Sequence, residues 1–67
     1  MFLVFKETNL TAGIPIAKIN LVEETPDGTY VWVEGRSHPL VVTTSCMDIL
    51  ASIERLMYNE EEDSEHN

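Results

Sequence analysis

The residues of this sequence best suited to chemistry are its single cysteine and the histidine that precedes it. Cys46 falls in the first turn of a predicted helix, a position at which reactive thiols occur. His38 precedes the adjoining strand, so the two could form a nucleophile–base pair. Cys46 also belongs to the apolar stripe of the helix, however, and the sequence offers neither a third orienting group nor a glycine-rich oxyanion loop. We therefore predict that the protein is not an enzyme and uses no cofactor.

The same residues do not predict a metal site. His38, Cys46 and His66 lack the close pairwise spacing of zinc ligands. The acidic run in residues 60–65 lacks the alternating ligands and the central glycine of a calcium loop. We expect no bound metal.

Four residues around the third predicted strand could instead bind a partner. Tyr30 and Trp32 alternate with valines and so share one face of the strand, while Arg36 and His38 follow across the next turn. One interpretation buries the aromatic rings under the helix, because large aromatic side chains dominate small cores. If the helix covers the valine-bearing face instead, the rings are left for a protein partner or for a small anionic ligand.

These residues are positioned by a predicted hairpin that turns at residues 25–28. Pro26 presets φ at the second position of a type I turn, Asp27 can bond the local backbone, and Gly28 can adopt positive φ. The β-prone runs on either side, residues 19–24 and 29–34, then pair as antiparallel strands.

Three further segments extend the predicted sheet. Residues 2–5 form an unbroken apolar strand, and residues 8–13 have the composition of a turn. The second strand begins around Pro15, which belongs at a sheet edge or a strand start, and a break is expected near Ala17 and Lys18. Residues 40–43 form the fourth strand.

A C-terminal helix is predicted from Ser45 onward. Ser45 and Asp48 match a capping box, in which each side chain bonds the other residue's backbone amide. Apolar residues then recur at helical spacing, namely Cys46, Ile49, Leu50, Ile53, Leu56 and Met57. The predicted fold is α+β, a four-stranded antiparallel β-meander with one C-terminal α-helix packed on the sheet.

The predicted domain, β-β-β-β-α, spans residues 1–59. Residues 60–67 hold five acidic residues and no Lys or Arg, and their charge opposes the negative end of the helix dipole. We expect these residues to be a disordered acidic tail. The rest of the chain carries seven acids against four scattered bases, which argues against nucleic-acid binding, since phosphate contacts need clustered Lys and Arg.

Size and composition favour self-association in the cytoplasm. A chain of 67 residues is near the limit at which one core suffices, so we expect a homo-oligomer. The expected interface is the apolar start, with Phe2, Val4 and Phe5, or the aromatic face. The single cysteine fits a reducing compartment. The start lacks the features of a signal peptide, and no run approaches a membrane span.

The pattern of turns and caps from residue 16 to residue 57 resembles the FlbD-like family of small bacterial proteins, which takes its name from a flagellar protein. The resemblance rests on the acidic residues before the Thr25 turn, on Gly35, on Ser45 and on the Ile49–Ile53 spacing. It implies a hairpin-and-helix fold and a link to flagellar motility, and it supplies no catalytic residue. The apolar start and the acidic tail depart from the family pattern.

The sequence favours a non-enzymatic interaction or regulatory module that binds another protein, such as a phage-encoded modulator of a host protein. Two alternatives stay open. One is an oligomeric protein that sequesters a nucleotide-like molecule between Tyr30, Trp32, Arg36 and His38. The other is the flagellar accessory role that the resemblance implies.

Deleting residues 60–67 is expected to leave the melting temperature unchanged or slightly raised. The deleted residues carry no apolar side chain, and their like charges repel one another. Thermal unfolding followed by circular dichroism measures the change, and any gain should shrink at high salt. A truncated chain that does not fold would show that these residues pack on the domain.

Overall fold

The computed structural model describes the backbone of residues 1–66 and the side chains of residues 1–58. The chain forms, in order, β1 (Phe2–Glu7), β2 (Leu10–Pro15), a 3₁₀ turn (Ile16–Lys18), β3 (Ile19–Thr25), β4 (Gly28–Val33), β5 (Leu40–Val42) and α1 (Cys46–His66). β1 and β2 make a two-stranded antiparallel sheet, and β3, β4 and β5 make a three-stranded antiparallel sheet in that order. The α+β class and the C-terminal helix are confirmed, whereas the single four-stranded meander is wrong.

The additional hairpin comes from residues 8–13, which the sequence predicts as a turn. Only the first two residues of this segment turn the chain, and the rest pairs with β1. Gly13 has no positive φ and lies at an ordinary strand position. Leu10, Ala12 and Ile14 alternate toward the core, and this period of two outweighs the turn preference of the residues between them.

The chain passes from one sheet to the other at the 3₁₀ turn Ile16–Lys18, where a break is predicted. Pro15, which cannot donate a ladder hydrogen bond, is the last residue of β2. A bulge follows at once, because Ile19 pairs with Val33 while Leu21 pairs with the adjacent Trp32. The bulge places Ile19 and Leu21 on opposite faces of the sheet, although they are two residues apart in the sequence.

The predicted turn between β3 and β4 is confirmed. Thr25 pairs with Gly28, whose φ is +131°. The Thr25 hydroxyl donates a hydrogen bond to the Gly28 carbonyl at 2.9 Å and accepts one from the Asp27 amide at 3.1 Å. These local bonds set the register of the hairpin and hence the β3 neighbours of β4 from Gly28 to Trp32, as far as the bulge.

The core lies between the two sheets and the helix. Its buried apolar residues come from β1, β2, β4, β5 and α1, and they are Leu3, Phe5, Ile14, Val31, Val42 and Ile49. Partly buried side chains from β3, the 3₁₀ turn and several of the same elements surround them, including Val22, Ile53 and Leu56. The last described helix side chain that packs on this core is Leu56.

Carboxylates from distant strands fix the start of the helix. The Glu7 carboxylate at the end of β1 accepts hydrogen bonds from the Thr43 amide at 2.8 Å, the Thr44 amide at 3.1 Å and the Thr44 hydroxyl at 2.8 Å. The Glu24 carboxylate accepts one from the Cys46 amide at 3.0 Å. Negative charge is favourable here, because the first amides of a helix lack partners and carry partial positive charge.

Ser45 caps the helix as predicted, with its hydroxyl accepting a hydrogen bond from the Asp48 amide at 3.1 Å. Such a cap contributes about 1 kcal/mol. The reciprocal bond predicted from Asp48 is absent from residues 1–58, and Glu24 is the carboxylate that binds a helix amide instead. The expected disorder of residues 60–67 stays a prediction, since the helical backbone continues to His66 but the side chains from residue 59 on lie outside the described residues.

Replacing Gly28 with alanine should destabilise the protein more than replacing Gly35. Both glycines have positive φ, at +131° and +88°. A Cβ on Gly28 would also lie 3.1 Å from the Val42 carbonyl oxygen and 3.2 Å from Val41 Cγ1, whereas a Cβ on Gly35 meets nothing within 4 Å. We expect Gly28→Ala to exceed Gly35→Ala by about 1 kcal/mol or more in urea unfolding. If the two substitutions lower the free energy of unfolding equally, the close approach of the β3–β4 turn to β5 is contradicted.

Replacing Glu7 with glutamine should reduce stability at neutral pH and matter less in acid. The hydrogen bond from the Thr43 amide holds the pKa of the Glu7 carboxyl below its ordinary value of 4.5, and the hydrogen bonds from the Thr44 amide and hydroxyl act in the same direction. A lowered folded-state pKa adds stability that is fully present above the unfolded pKa and is lost as the pH falls through the folded value. The gap between wild type and Glu7→Gln should therefore be widest above about pH 5 and should narrow below pH 4.5.

Urea unfolding at several pH values measures that gap. Asp27→Asn is the matched control, because Asp27 is exposed and its carboxylate accepts no hydrogen bond among the described residues. A Glu7→Gln gap that stays constant from neutral to acidic pH would show that the carboxylate charge does not hold the two threonine amides.

Candidate functional site

Helix α1 covers the valine-bearing face of the three-stranded sheet. Val31 is fully buried and shares the core cluster with Ile49 of the helix. Tyr30 and Trp32 lie on the opposite face of β4 and are only half-buried. The interpretation that packs the aromatic rings under the helix is therefore wrong, and the rings lie on the face that no other element of the described chain covers.

We call this surface the outer face and define it by Leu21, Glu23, Tyr30, Trp32 and Val41. Tyr30 lies between Glu23 on β3 and Val41 on β5, and Trp32 lies opposite Leu21. Leu21 and Val41 are 51% and 50% exposed. The outer face thus presents two aromatic rings flanked by two exposed aliphatic side chains.

The two rings are held in a defined geometry. The Tyr30 and Trp32 ring centroids are 6.4 Å apart with an interplanar angle of 62°, an edge-to-face arrangement. The Trp32 indole Nε1 donates a hydrogen bond to a Glu23 carboxylate oxygen at 2.9 Å. An edge-to-face pair contributes about 0.5–1.5 kcal/mol beyond its buried area. These contacts restrict the rings before any partner arrives.

Sequence reasoning missed Glu23 as the polar partner of Trp32. The signal was available in the turn, because pairing Thr25 with Gly28 places Glu23 opposite Tyr30 and diagonal to Trp32. Side chains at such diagonal positions are within reach when one of them is large. The register of a recognised hairpin therefore identifies this contact.

Arg36 and His38, which the sequence groups with the aromatic pair, lie in the exposed segment between β4 and β5. The Arg36 amide donates to the Val33 carbonyl at 3.1 Å, which closes the turn at Gly35. Within residues 1–58 neither side chain makes a hydrogen bond or an ion pair, and Arg36 makes no cation–π contact with the rings. Among the described residues, no hydrogen bond or cation–π contact therefore joins these two side chains to Tyr30 or Trp32.

The three residues of the predicted apolar interface separate onto two faces of β1. Phe2 and Val4 are 59% and 58% exposed on the outer side of the two-stranded sheet. Phe5 points the other way and is 4% exposed, so its side chain belongs to the core. Of the three predicted residues, only Phe2 and Val4 are therefore exposed to a partner.

The cysteine and histidine lie in different surroundings. The half-buried Cys46 thiol donates to the Val22 carbonyl at 3.5 Å, and His38 is exposed in the segment before β5. Among the residues that the structure describes, no three His, Cys, Asp or Glu side chains are grouped as metal ligands would be. The His66 side chain lies outside that part of the chain. A search of the same part finds no helix with the length and apolar character needed to cross a membrane.

Comparisons with family models, with curated proteins and with solved structures give no match to this chain. The resemblance to FlbD-like proteins therefore stays a prediction.

Proposed function

We propose that this protein is a non-enzymatic interaction module that binds another protein through the outer face. The observation that carries the proposal is the side of the sheet on which the helix lies. Because α1 covers Val31, the Tyr30–Trp32 pair is left at the surface between exposed Leu21 and Val41. Tyrosine and tryptophan are enriched among the residues that dominate protein–protein binding energy.

The charge of the chain indicates the chemistry of the partner. The formal net charge is −8, and Glu23 lies beside Trp32 on the outer face. A complementary surface would have an apolar centre that receives the two rings and basic residues around it. A regulator or a phage-encoded modulator that acts on a basic host protein fits this description.

Binding of a nucleotide-like anion is the second candidate and is less favoured. The Glu23 carboxylate accepts the hydrogen bond of the Trp32 indole N–H. Its negative charge beside the indole would repel an anion. Arg36, the residue expected to pair with the anion, makes no cation–π contact with the rings among the described residues. A flagellar accessory role is a third candidate and rests on the FlbD-like resemblance alone.

A cytoplasmic location is also part of the proposal and rests on the single half-buried cysteine.

Substitutions on the outer face should weaken partner binding. A substitution on a different exposed surface should leave the affinity unchanged. The host protein retained by the immobilised wild-type chain is purified, and its affinity is measured for each variant. We expect Trp32→Ala to weaken binding by at least about tenfold, since central aromatic residues commonly contribute 2 kcal/mol or more. Val41→Ser tests the same face with an exposed residue that carries little folding risk.

Phe2→Ser is the matched control, because Phe2 is 59% exposed on the other sheet. Circular dichroism must show that all three variants fold. If the partner binds the Trp32→Ala and Val41→Ser variants with the same affinity as the wild type, the proposal is contradicted. Calorimetry with a panel of nucleotides distinguishes the two candidate functions. Tight nucleotide binding that is lost on substitution of Arg36 would favour nucleotide binding over protein binding.

A further inference from the structure

Strand β1 pairs with β2 along one edge, and its second edge pairs with no other strand of the described chain. Successive positions of an antiparallel pair alternate, and at every second position the two residues exchange backbone hydrogen bonds. The Ile16 amide donates to the Met1 carbonyl at 3.1 Å, which fixes this alternation in the β1–β2 hairpin. Counted from that bond, the N–H and C=O groups of Phe2, Val4 and Lys6 point away from β2. We call this row of three residues the β1 edge.

The β1 edge is open. Its backbone N–H and C=O groups have no hydrogen-bond partner among residues 1–58. Phe2 and Val4 are 59% and 58% exposed, and Lys6 is exposed as well. The edge contains neither a proline nor a bulge. Folded proteins normally block such an edge, because its free N–H and C=O groups pair readily with another extended strand.

The other free edges of the two sheets are obstructed or short in the described chain. The Cys46 thiol donates to the Val22 carbonyl at 3.5 Å, so the start of α1 lies against β3. Strand β5 has only three residues, and the Glu7 carboxylate holds the Thr43 amide directly after it. Strand β2 ends at Pro15, which has no N–H to donate. The β1 edge is therefore the edge best suited to receive another strand.

We infer that a second copy of this chain pairs with the β1 edge, so that the two β1 strands run antiparallel across a two-fold axis at Val4. The two hairpins then form one four-stranded sheet in the order β2–β1–β1–β2. At the axis the two Val4 residues exchange backbone hydrogen bonds, and on either side Phe2 of one copy does the same with Lys6 of the other. All three N–H and all three C=O groups of each β1 edge thereby gain a partner.

The side chains of the β1 edge are self-complementary in this register. The two exposed Val4 side chains meet at the axis, and the stem of each Lys6 packs beside the Phe2 ring of the other copy, where a cation is favoured. On the inner side of the sheet, Leu3 of one copy lies opposite Phe5 of the other. The same three edge residues supply both halves of the contact, as a two-fold interface requires.

Charge selects the antiparallel arrangement. A parallel pairing of the two β1 strands in register would place Lys6 of one copy beside Lys6 of the other. Like charges that lie opposite each other on neighbouring strands are destabilising. The antiparallel register separates the two lysines to opposite ends of the paired strands and places an uncharged residue opposite each.

Sedimentation at micromolar concentration tests the dimer. Wild type is expected at twice the chain mass of 7.6 kDa. Val4→Lys is expected as a folded monomer, because Val4 is 58% exposed and two lysines would face each other at the axis. Val41→Lys is the matched control, since it makes the same change at a residue that is 50% exposed on β5, and it should remain dimeric. Circular dichroism checks that both variants fold.

A monomeric wild type would overturn the inference, and so would a Val4→Lys variant that stays dimeric. If the wild type is monomeric and Val4→Lys abolishes retention of a host protein, that protein occupies the β1 edge instead of a second copy.

Disulfide formation tests the register without disrupting the pairing. In a Cys46→Ser background, Val4→Cys should cross-link with itself, because Cα atoms of a hydrogen-bonded antiparallel pair are about 5.5 Å apart, within the range that a disulfide spans. Phe2→Cys should cross-link only when it is mixed with the Lys6→Cys chain. Cross-linking of Phe2→Cys with itself, or none of Val4→Cys, would contradict the two-fold axis at Val4.

The dimer and the outer face can be tested separately, since the inference does not rest on the proposed function. Val4→Lys should lose the dimer and keep its affinity for the purified host protein. Val41→Lys, which changes the outer face, should keep the dimer and lose that affinity. Failure of either expectation therefore identifies which of the two surfaces is wrongly assigned.

Discussion

The burial of Ile49 against the sheet residues Val31 and Val42 is the contact on which the rest of this structure depends. All three side chains are at most 1% exposed. Burying each one contributes roughly 1.5–3 kcal/mol, which exceeds the cap at Ser45 and the Lys18–Glu34 ion pair. That ion pair joins side chains that are 55% and 63% exposed, so it contributes at most about 1 kcal/mol. Apolar packing thus decides which face of the sheet the helix covers.

Polar contacts decide where the helix begins. The carboxylates of Glu7 and Glu24 hold backbone amides on either side of Ser45, and they come from different sheets. Glu7 therefore ties the β1–β2 hairpin to the segment before the helix, in addition to the core contacts of Leu3 and Phe5. Once the helix is held at this point, its exposed side and the outer face are both left free for other molecules.

Local signals in the sequence were sufficient for some elements and not for others. The turn at residues 25–28 and the Ser45 cap are specified by residues close together in the chain, and both formed as predicted. The choice of sheet face was not predictable by alternation, because β4 is apolar on both sides. The β1–β2 hairpin was missed because Asn and Gly in residues 8–13 favour a turn locally, while pairing with β1 favours a strand. The Glu7 and Glu24 contacts join residues far apart in the sequence and depend on tertiary packing that no short motif encodes.

Nuclear Overhauser contacts from the Ile49 methyl groups test the central claim most directly. If the helix covers the valine-bearing face, these methyl groups should show strong contacts with the methyl groups of Val31 and Val42 and none with the Trp32 indole. Strong contacts between Ile49 and the rings of Tyr30 or Trp32 would place the helix on the other face. In that case the outer face would be part of the core, and the proposed binding surface would not exist.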